Sequence, residues 1–175
     1  IYTEGPWFYR RGDNYYLLYA AGGVPEHIAY SMSDSPAGPW RYVGEIMPLQ
    51  DTGSFTNHCG VIDYMGNSYF FYHTGKLPGG GGFGRSVAVE QFRYNDDGTF
   101  PIINATAEGV APIGTLDPYR RVEAETIAFS SGVKSEPNAK TGVYVSDTHD
   151  GDWIKVREVD FGAEGPDELR VAAAS

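Results

Sequence analysis

The chain has 175 residues, enough for one ordinary domain with a sizeable core or for pieces of two. Its 13 basic and 23 acidic residues give a net charge of −10, which repels phosphate backbones and argues against a nucleic-acid partner. The single cysteine, Cys59, excludes an internal disulfide framework and a cysteine-rich zinc site. No apolar run approaches the roughly 20 residues of a membrane-spanning helix, so we expect no membrane partner.

Aromatic residues make up 14% of the chain, together with 23 glycines and 11 prolines. This composition favours many short strands joined by tight turns and leaves little room for helices. In chain order, the first four predicted strands cover residues 7–10, 15–20, 27–33 and 40–46. A four-strand meander of about 45 residues is the size of one β-propeller blade.

The next segment repeats this pattern, with predicted strands at residues 60–64, 68–73, 85–93 and 99–103. Alignment of the two segments places Tyr16 over Phe70, an offset of 54 residues. The same offset places Glu4 over His58. Because the innermost strand of every blade lines the central channel of a propeller, we expect Glu4 and His58 to face one axis.

Glu4 is the candidate chemical group of the opening stretch, residues 1–9. It lies between apolar strand formers and a Gly-Pro break, directly ahead of three aromatic residues. A carboxylate in an aromatic, partly dry wall has its charged form disfavoured, so its pKa should rise toward that of a general acid. The alternative is a solvated glutamate at a strand end, and the shared direction with His58 favours the functional interpretation.

Two blades cannot close a propeller ring. They would leave open strand edges and one bare face. We therefore expect the remaining blades to come from another part of the same protein or from a second chain. The pattern also begins in mid-strand, which is typical of an internal fragment.

Four motifs follow one another in the first part of the chain: EGPW at residues 4–7, DSPAGPW at 34–40, NHCG at 57–60 and LPGGGGFGRS at 77–86. Together they resemble glycoside hydrolase family 43, in particular its arabinofuranosidase, arabinoxylan arabinofuranohydrolase and β-xylosidase members. The resemblance covers roughly residues 1–115. It implies a five-bladed β-propeller that hydrolyses glycosides with inversion.

The resemblance also implies roles for individual residues. Glu4 matches the general acid of the family. His58 matches a histidine at the channel axis that helps to hold a central calcium ion. Arg85, after the glycine-rich loop, matches an arginine that reaches the sugar next to the cleaved bond, and His73 resembles a second substrate contact.

A second carboxylate is required for inverting hydrolysis, about 6.5–9.5 Å from the acid. In the family this base is an Asp near the start of the first blade, and a further Asp on the third blade tunes the pKa of the general acid. Neither motif occurs in the chain. We therefore expect these residues to match the last two blades and to be inactive alone.

Composition shifts at residues 111–118, where the aromatic density falls. Alternation at residues 122–125 predicts a strand with Glu123 and Glu125 on one side, and paired carboxylates of this kind suit calcium. Two solvated acids on an edge strand are the alternative. Further short strands are predicted at residues 142–146, 151–156 and 159–162. The motif EAE at residues 123–125, followed by GDWI at 151–154 and VDFG at 159–162, resembles a family-6 carbohydrate-binding module. That resemblance implies a structural calcium site at the two glutamates.

The sequence therefore predicts an all-β protein with two domains. Residues 1–115 would be the C-terminal blades of a family-43 propeller, and residues 116–175 the N-terminal part of a carbohydrate-binding β-sandwich (jelly roll). The predicted function is exo-acting removal of α-L-arabinofuranose or β-xylose from the plant polysaccharides arabinoxylan and xylan, with structural Ca²⁺. The resemblance implies a secreted, extracellular or periplasmic protein. The alternative is a non-catalytic carbohydrate-binding or calcium-stabilised structural β-protein.

Overall fold

A computed structural model describes residues 2–173, and within that range the secondary structure is strands and turns without a helix. The all-β prediction is therefore confirmed for these residues. A helix long and apolar enough to cross a membrane is accordingly absent from the same range. The chain divides into two compact units, Ile1–Val110 and Ala111–Ser175, somewhat earlier than the predicted boundary after residue 115.

The first sheet is an antiparallel meander in which neighbouring strands in the chain are neighbours in the sheet. Its strands are β1 (Tyr2–Arg11), β2 (Asn14–Ala21), β3 (His27–Ser33) and β4 (Arg41–Met47). All four were predicted from alternation and turn residues; β1 begins five residues earlier than predicted, and the ends of the other three strands agree to within one residue. The turn between β1 and β2 uses Gly12 in a left-handed conformation, with φ at +58°.

The second sheet has three antiparallel strands where four were predicted. They are β5 (Gly60–Tyr64), β6 (Asn67–Thr74) and β7 (Ser86–Phe92). The predicted fourth strand, residues 99–103, is wrong, because this segment returns to the first sheet instead. The Ile103 N–H donates to the Ile46 carbonyl at 2.7 Å, and the Phe100 N–H donates to the Tyr30 hydroxyl at 3.1 Å. Burial of Phe100 and Ile103, 6% and 5% exposed, outweighs the strand pattern.

The core of the first unit is built from both sheets and from this returning segment. Tyr16 stacks on Tyr9 with ring centroids 4.9 Å apart and meets the edge of Phe100 at 5.9 Å. The largest side chains with less than 2% exposure belong to this cluster: Tyr16, Tyr30, Phe70, Leu18, Ile28, Ile46 and Met47.

The 54-residue repeat holds for the second strand of each sheet but not for the first. Tyr16 of β2 and Phe70 of β6 are both fully buried, as the alignment predicts. Tyr16 pairs with Tyr9, however, whereas Phe70 pairs with Val61. A strict repeat would pair Phe70 with Asp63, so the predicted equivalence of Glu4 and His58 is wrong in register. An irregularity in β1 causes their two side chains to meet nevertheless, as described below.

The second unit contains two short strand pairs. The strands are β8 (Phe129–Ser131), β9 (Lys134–Asn138), β10 (Gly142–Ser146) and β11 (Trp153–Lys155). β9 pairs with β10, and β8 pairs with β11, both antiparallel. The prediction for residues 142–146 is confirmed, and the predicted strand at residues 151–156 is observed in its central part. β8 and β9 were not predicted.

Two predicted strands of the second unit are wrong. Residues 122–125 form turns: the Thr126 N–H donates to the Glu123 carbonyl at 3.0 Å, and the Ile127 N–H donates to the Glu125 carbonyl at 2.9 Å. Residues 159–162 contribute only an isolated bridge, from Val159. Alternation over four residues is a weak signal, because local turn hydrogen bonds satisfy the same backbone groups.

Candidate functional site

A β-bulge in β1 sets the direction of the first candidate residue. Glu4 pairs with Ala20, but the next pair is Trp7 with Leu18, so β1 carries one extra residue here. A bulge of this kind re-aims a side chain. Gly5 lies in the bulge with φ at +61°, and a Cβ at this position would be 2.8 Å from the His58 ring. Glycine therefore lets the imidazole lie directly against the β1 backbone.

Glu4 and His58 meet at this bulge. The Glu4 Oε1 lies 3.4 Å from the His58 Nε2. The contact is an ion-pair distance without hydrogen-bond geometry, and His58 Nε2 is buried with no hydrogen-bond partner. The Glu4 side chain is 55% exposed. The predicted dry aromatic wall is therefore not formed by the described residues, since Trp7 and Phe8 are themselves 41% and 53% exposed.

His73 lies next to His58, as part of β6. The His58 N–H donates to His73 Nδ1 at 3.3 Å, and the two rings lie 5.0 Å apart between centroids. This bond requires an unprotonated Nδ1. Burial, and then the nearby His58 and Arg85, lower the pKa of His73 from its ordinary value. The structure thus favours a neutral imidazole beside Glu4 and His58.

Arg85 follows the glycine-rich loop and is anchored to the same region. Its Nη1 donates to the Thr56 Oγ1 at 3.3 Å. The loop itself folds back on Phe55 so closely that a Cβ added at Gly82 would fall 1.7 Å from the Phe55 ring. Phe83 packs edge-on against the same ring at 5.0 Å. The structure therefore brings Arg85 to the segment that carries His58.

Glu26 is a site residue that the sequence analysis missed. It is 5% exposed, and its Oε2 accepts a hydrogen bond from the Asn57 N–H at 2.7 Å. Its Oε1 is buried without a partner. The available signal was an acid placed directly before the buried strand β3, after a Gly-Gly break, where a solvated turn is the usual expectation.

Three of these residues form a group that could hold a cation. One oxygen from Glu4, one oxygen from Glu26 and one nitrogen from His58 all lie within 4.8 Å of one another. Ligands on opposite sides of Ca²⁺, each about 2.3–2.6 Å away, are separated by a similar distance. The two carboxylates and the unpartnered buried atoms of Glu26 and His58 fit such an ion, with further oxygen ligands needed to complete its shell.

The structure does not bring Glu123 and Glu125 into a comparable group within residues 2–173. The Glu123 Oε1 is 2.9 Å from the Arg121 Nε, an exposed ion pair. With residues 122–125 in turns, the two glutamates do not share one face of a strand. Their role as calcium ligands stays a prediction.

Glu26 does not fit the role of the missing catalytic base. The base of an inverting enzyme is separated from the acid by about 6.5–9.5 Å to admit a water molecule. Glu26 has an oxygen within 4.8 Å of a Glu4 oxygen, is buried, and accepts the Asn57 N–H with its Oε2. Glu26 is therefore too close to Glu4 and too buried to be that base.

A cavity of about 170 Å³ opens beside the two histidines, with His58, His73, Cys59 and Val87 in its wall. Burial raises the pKa of the Cys59 thiol to about 12, so this cysteine is an inert part of the wall. A larger cavity of about 280 Å³ lies at the opposite end of the first sheet, and the predicted site residues do not line it. Of these two cavities, the smaller one is therefore the one lined by candidate site residues.

A protein-family model matches most of the first unit. The model for Glycosyl hydrolases family 43 matches residues 1–100 of the chain.

Curated relatives extend the similarity along nearly the whole chain. The chain is 31% identical to an arabinoxylan arabinofuranohydrolase of Paenibacillus polymyxa, over 98% of this chain and 30% of the relative. It is 33% identical to an arabinoxylan arabinofuranohydrolase of Bacillus subtilis (strain 168), over 98% of this chain and 36% of the relative. The chain thus spans about a third of the length of these relatives.

Solved structures agree with the fold. A family-43 arabinoxylan arabinofuranohydrolase from Bacillus subtilis, in complex with cellotetraose, matches with a TM-score of 0.68 and 30% identity, over 94% of this chain and 38% of that one. A family-43 β-xylosidase/α-arabinofuranosidase from a compost microbial metagenome, with xylotriose and in a calcium-free form, matches with a TM-score of 0.54 and 33% identity. The second match covers 59% of this chain and 30% of that one.

Proposed function

We propose a function from one premise: the chain belongs to glycosyl hydrolases family 43. The complete protein that contains this sequence would hydrolyse glycosidic bonds of arabinoxylan or xylan, or of their oligosaccharides, and release a terminal α-L-arabinofuranose or β-xylose. Two relatives named as arabinoxylan arabinofuranohydrolases, each similar over 98% of the chain, favour arabinofuranose. The observation that carries the proposal is the convergence of Glu4, His58, His73 and Arg85.

Glu4 is the proton donor of the proposed reaction. Its carboxyl group is more than half exposed at the end of the sheet, where a glycosidic oxygen could approach it. Proton transfer to the leaving oxygen by a positioned acid contributes about 10²–10⁴ to the rate. A second carboxylate, outside the residues described here, would activate the water on the opposite face of the sugar.

His73 and Arg85 are the proposed sugar contacts. The neutral imidazole of His73 keeps its Nε2 as a donor, because Nδ1 already accepts the His58 N–H at 3.3 Å. Arg85 uses Nη1 on Thr56 and has further donors for sugar hydroxyls. Two fixed donors next to the acid would orient the terminal sugar for cleavage.

Calcium is part of the proposal, with His58 and the free Oε1 of Glu26 as its protein ligands. A carboxylate bound to calcium is no longer a proton donor, so Glu4 would lie near the ion without binding it during catalysis. The ion would supply positive charge beside two acids. The calcium-free form of the solved metagenomic enzyme supports a role for this ion in a related protein.

The architecture of the complete protein is also proposed here. The two sheets of the first unit would be the last two blades of a five-bladed propeller, completed by the same protein or a second chain. The second unit would be the N-terminal part of a family-6 carbohydrate-binding β-sandwich, with Glu123 and Glu125 at its calcium. Since arabinoxylan is a cell-wall polymer, the protein would be secreted or periplasmic.

The alternative function is non-catalytic carbohydrate binding, with Glu4 as a solvated acid at a strand end. Its 55% exposure is the observation that favours this alternative. Glu4→Gln in the complete protein separates the two. Because the variant cannot donate the proton, activity on arabinoxylan oligosaccharides should fall about 10²–10⁴-fold. Aryl glycosides with good leaving groups should lose much less, because their departure needs little protonation.

Glu45→Gln is the matched control for this experiment. Glu45 lies on β4 of the same sheet, is 42% exposed, and faces His27 at 3.5 Å. It is outside the candidate site, so its replacement should leave both activities near those of the wild type. A Glu4→Gln protein that hydrolyses the oligosaccharides at the wild-type rate would exclude Glu4 as the general acid.

A further inference from the structure

Residues 55–58 lie between strands, without a place in either sheet. The predicted site residues of the first unit nevertheless all meet at this segment. Arg85 bonds to Thr56, whereas His58 approaches Glu4 and donates to His73. The position of one loop segment therefore decides whether the acid, the two imidazoles and the guanidinium converge.

Glu26 holds this segment by two hydrogen bonds. Its backbone N–H donates to the Phe55 carbonyl at 3.0 Å, and its Oε2 accepts the Asn57 N–H at 2.7 Å. The two bonds resemble those between paired strands, except that the acceptor of the Asn57 N–H is the Glu26 carboxylate and not a backbone carbonyl. A bond from an N–H to a buried carboxylate is charge-assisted and about twice as strong as a neutral one.

Asn57 passes this restraint on to the histidines. Its Oδ1 accepts the His73 N–H at 3.0 Å, and the next residue, His58, donates its own N–H to the His73 ring at 3.3 Å. Hydrogen bonds thus connect Glu26 through Asn57 to the backbone of His73, and the backbone N–H of His58, the next residue, reaches the His73 ring. No direct bond from Glu26 to either imidazole is among the described contacts, so its influence is exerted through Asn57.

The second oxygen of Glu26 shows that the residue is not there for packing alone. Oε1 is buried and without a hydrogen-bond partner, and one oxygen of the same carboxylate belongs to the group with Glu4 and His58. Leaving a buried carboxylate oxygen unpaired is costly, and an apolar side chain would avoid that cost. An acid kept at such a cost beside the site points to a role in the site.

We propose that Glu26 is a positioning residue: it holds Asn57 and thereby sets where His58 and His73 stand relative to Glu4. The kinetic consequence rests on the function proposed above. The positional consequence does not, because it concerns only where the side chains lie.

Glu90 provides a matched control in the same unit. It is also buried, at 7% exposure, and also accepts a backbone N–H at 2.7 Å, from Thr106. Its remaining bonds go to Tyr72 and to the Thr106 hydroxyl. Replacing Glu90 by alanine should therefore cost stability as Glu26→Ala does, without moving the site.

The kinetic test compares Glu26→Ala, Glu26→Gln and Glu90→Ala in the complete protein with an arabinoxylan oligosaccharide, whose cleavage needs protonation of the leaving oxygen. Glu26→Ala should lower kcat about 10²-fold, the loss expected from misplacing catalytic groups by roughly 1 Å, with a smaller change in KM. Glu26→Gln keeps an acceptor for Asn57 and should recover kcat to within about tenfold of the wild type. Glu90→Ala should keep the wild-type kcat. Equal kcat values for the two alanine variants would overturn the proposal.

The structural test is a crystal structure of each variant. In Glu26→Ala, Asn57 and the His58 ring should move by more than about 0.5 Å, the tolerance of a catalytic constellation, and they should stay in place in Glu90→Ala. An unmoved segment overturns the proposal even if the kinetics change. If Glu4→Gln proves fully active, the proposed function fails while this measurement still decides the role of Glu26.

Two further comparisons address a role of Glu26 as a calcium ligand and the case in which Glu26→Ala does not fold. Wild-type protein with a chelator should show a smaller loss of kcat and a smaller displacement than Glu26→Ala, and equal effects would mean that Glu26 acts only as a calcium ligand. Should Glu26→Ala not fold, Glu26→Asp draws the oxygen back by one methylene. It must then lower kcat more than Glu26→Gln does, and a smaller loss contradicts the positioning role.

Discussion

The two units of the chain differ most in how they bury their side chains. Every residue that the structure describes as buried belongs to the first unit, and the last of them in the chain is Ile103. In the second unit even the largest apolar side chains are open to solvent, including Trp153 at 49% and Phe161 at 46%. The first unit therefore has its own core, whereas the strands of the second unit lack one within the described residues.

This difference in burial shows which unit gains stability from packing, and the candidate site lies on that unit. Burial of apolar surface contributes about 25 cal/mol per Å², so a strand pair without a buried face gains little from its side chains. The candidate site lies wholly on the unit with a core. A site that needs fixed geometry is thus built on the part of the chain whose positions are held by packing.

The largest expected difference in the free energy of unfolding is between two variants, one that truncates a core residue of the first unit and one that truncates an exposed aromatic residue of the second. Phe70→Ala removes a fully buried ring from the first unit and should lower the free energy of unfolding by about 3–5 kcal/mol. Trp153→Ala in the second unit should cost less than about 1 kcal/mol. Urea unfolding of both variants measures the difference, and equal losses would show that the second unit has a core of its own.

A second comparison uses two tyrosine–glutamate hydrogen bonds. The Tyr72 hydroxyl donates to buried Glu90 at 2.9 Å, and the Tyr144 hydroxyl donates to exposed Glu136 at 3.1 Å. Glu90→Ala leaves buried donors unpaired and should lower the free energy of unfolding by about 1–3 kcal/mol. Glu136→Ala should have little effect, because water replaces the carboxylate. Similar unfolding midpoints for the two variants would contradict the assigned difference in burial.

Two ion pairs give a smaller contrast. Arg11 joins the sheets of the first unit, with its Nε 3.1 Å from Asp63 and its guanidinium 4.1 Å above the Tyr94 ring. Lys134 and Asp147 pair at 2.8 Å on the surface of the second unit. Arg11→Ala should cost about 1 kcal/mol, since it loses the ring contact as well as the ion pair. Lys134→Ala should cost less, and 1 M salt should reproduce most of its effect.

The smallest expected effect depends on pH. Because the pKa of His73 is lowered in the folded state, the unfolded chain binds the proton more readily. His73 therefore contributes stability that is fully present above about pH 6.5 and is lost as the pH falls through its folded pKa. With a chelator present, His73→Gln should lose less free energy of unfolding than the wild type between pH 7.5 and pH 5.5. A His73→Gln protein with the wild-type pH dependence would contradict the interpretation.

Much of the first unit could be predicted because its strands follow local rules. Alternating side chains and Gly-containing turns located all seven strands of its two sheets. The segment at residues 99–103 defeated the same rules, since Phe100 and Ile103 are placed by the cluster around Tyr30, which lies far away in the sequence. In the second unit, four alternating residues around Glu123 predicted a strand where turn hydrogen bonds prevail.

The candidate site was only partly readable from the chain. The repeat brought attention to Glu4 and His58, but the contact between them comes from a bulge that no alignment of two turns reveals. Glu26 escaped notice because a lone acid in a turn is usually solvated. Its importance depends on the backbone N–H of Asn57, and the direction of a backbone group is not visible in a sequence.

Gly5 gives the site a wall made of peptide. With its left-handed φ and the His58 ring at 2.8 Å from any added Cβ, the position excludes every other residue type unless the strand or the ring moves. At other positions of the site a substitution can change the size or the charge of a side chain in small steps. At Gly5 even the smallest added side chain would clash with the His58 ring. The place of the His58 ring against β1 is therefore set by the backbone of the bulge, and an insertion or deletion that shifts the bulge would move it.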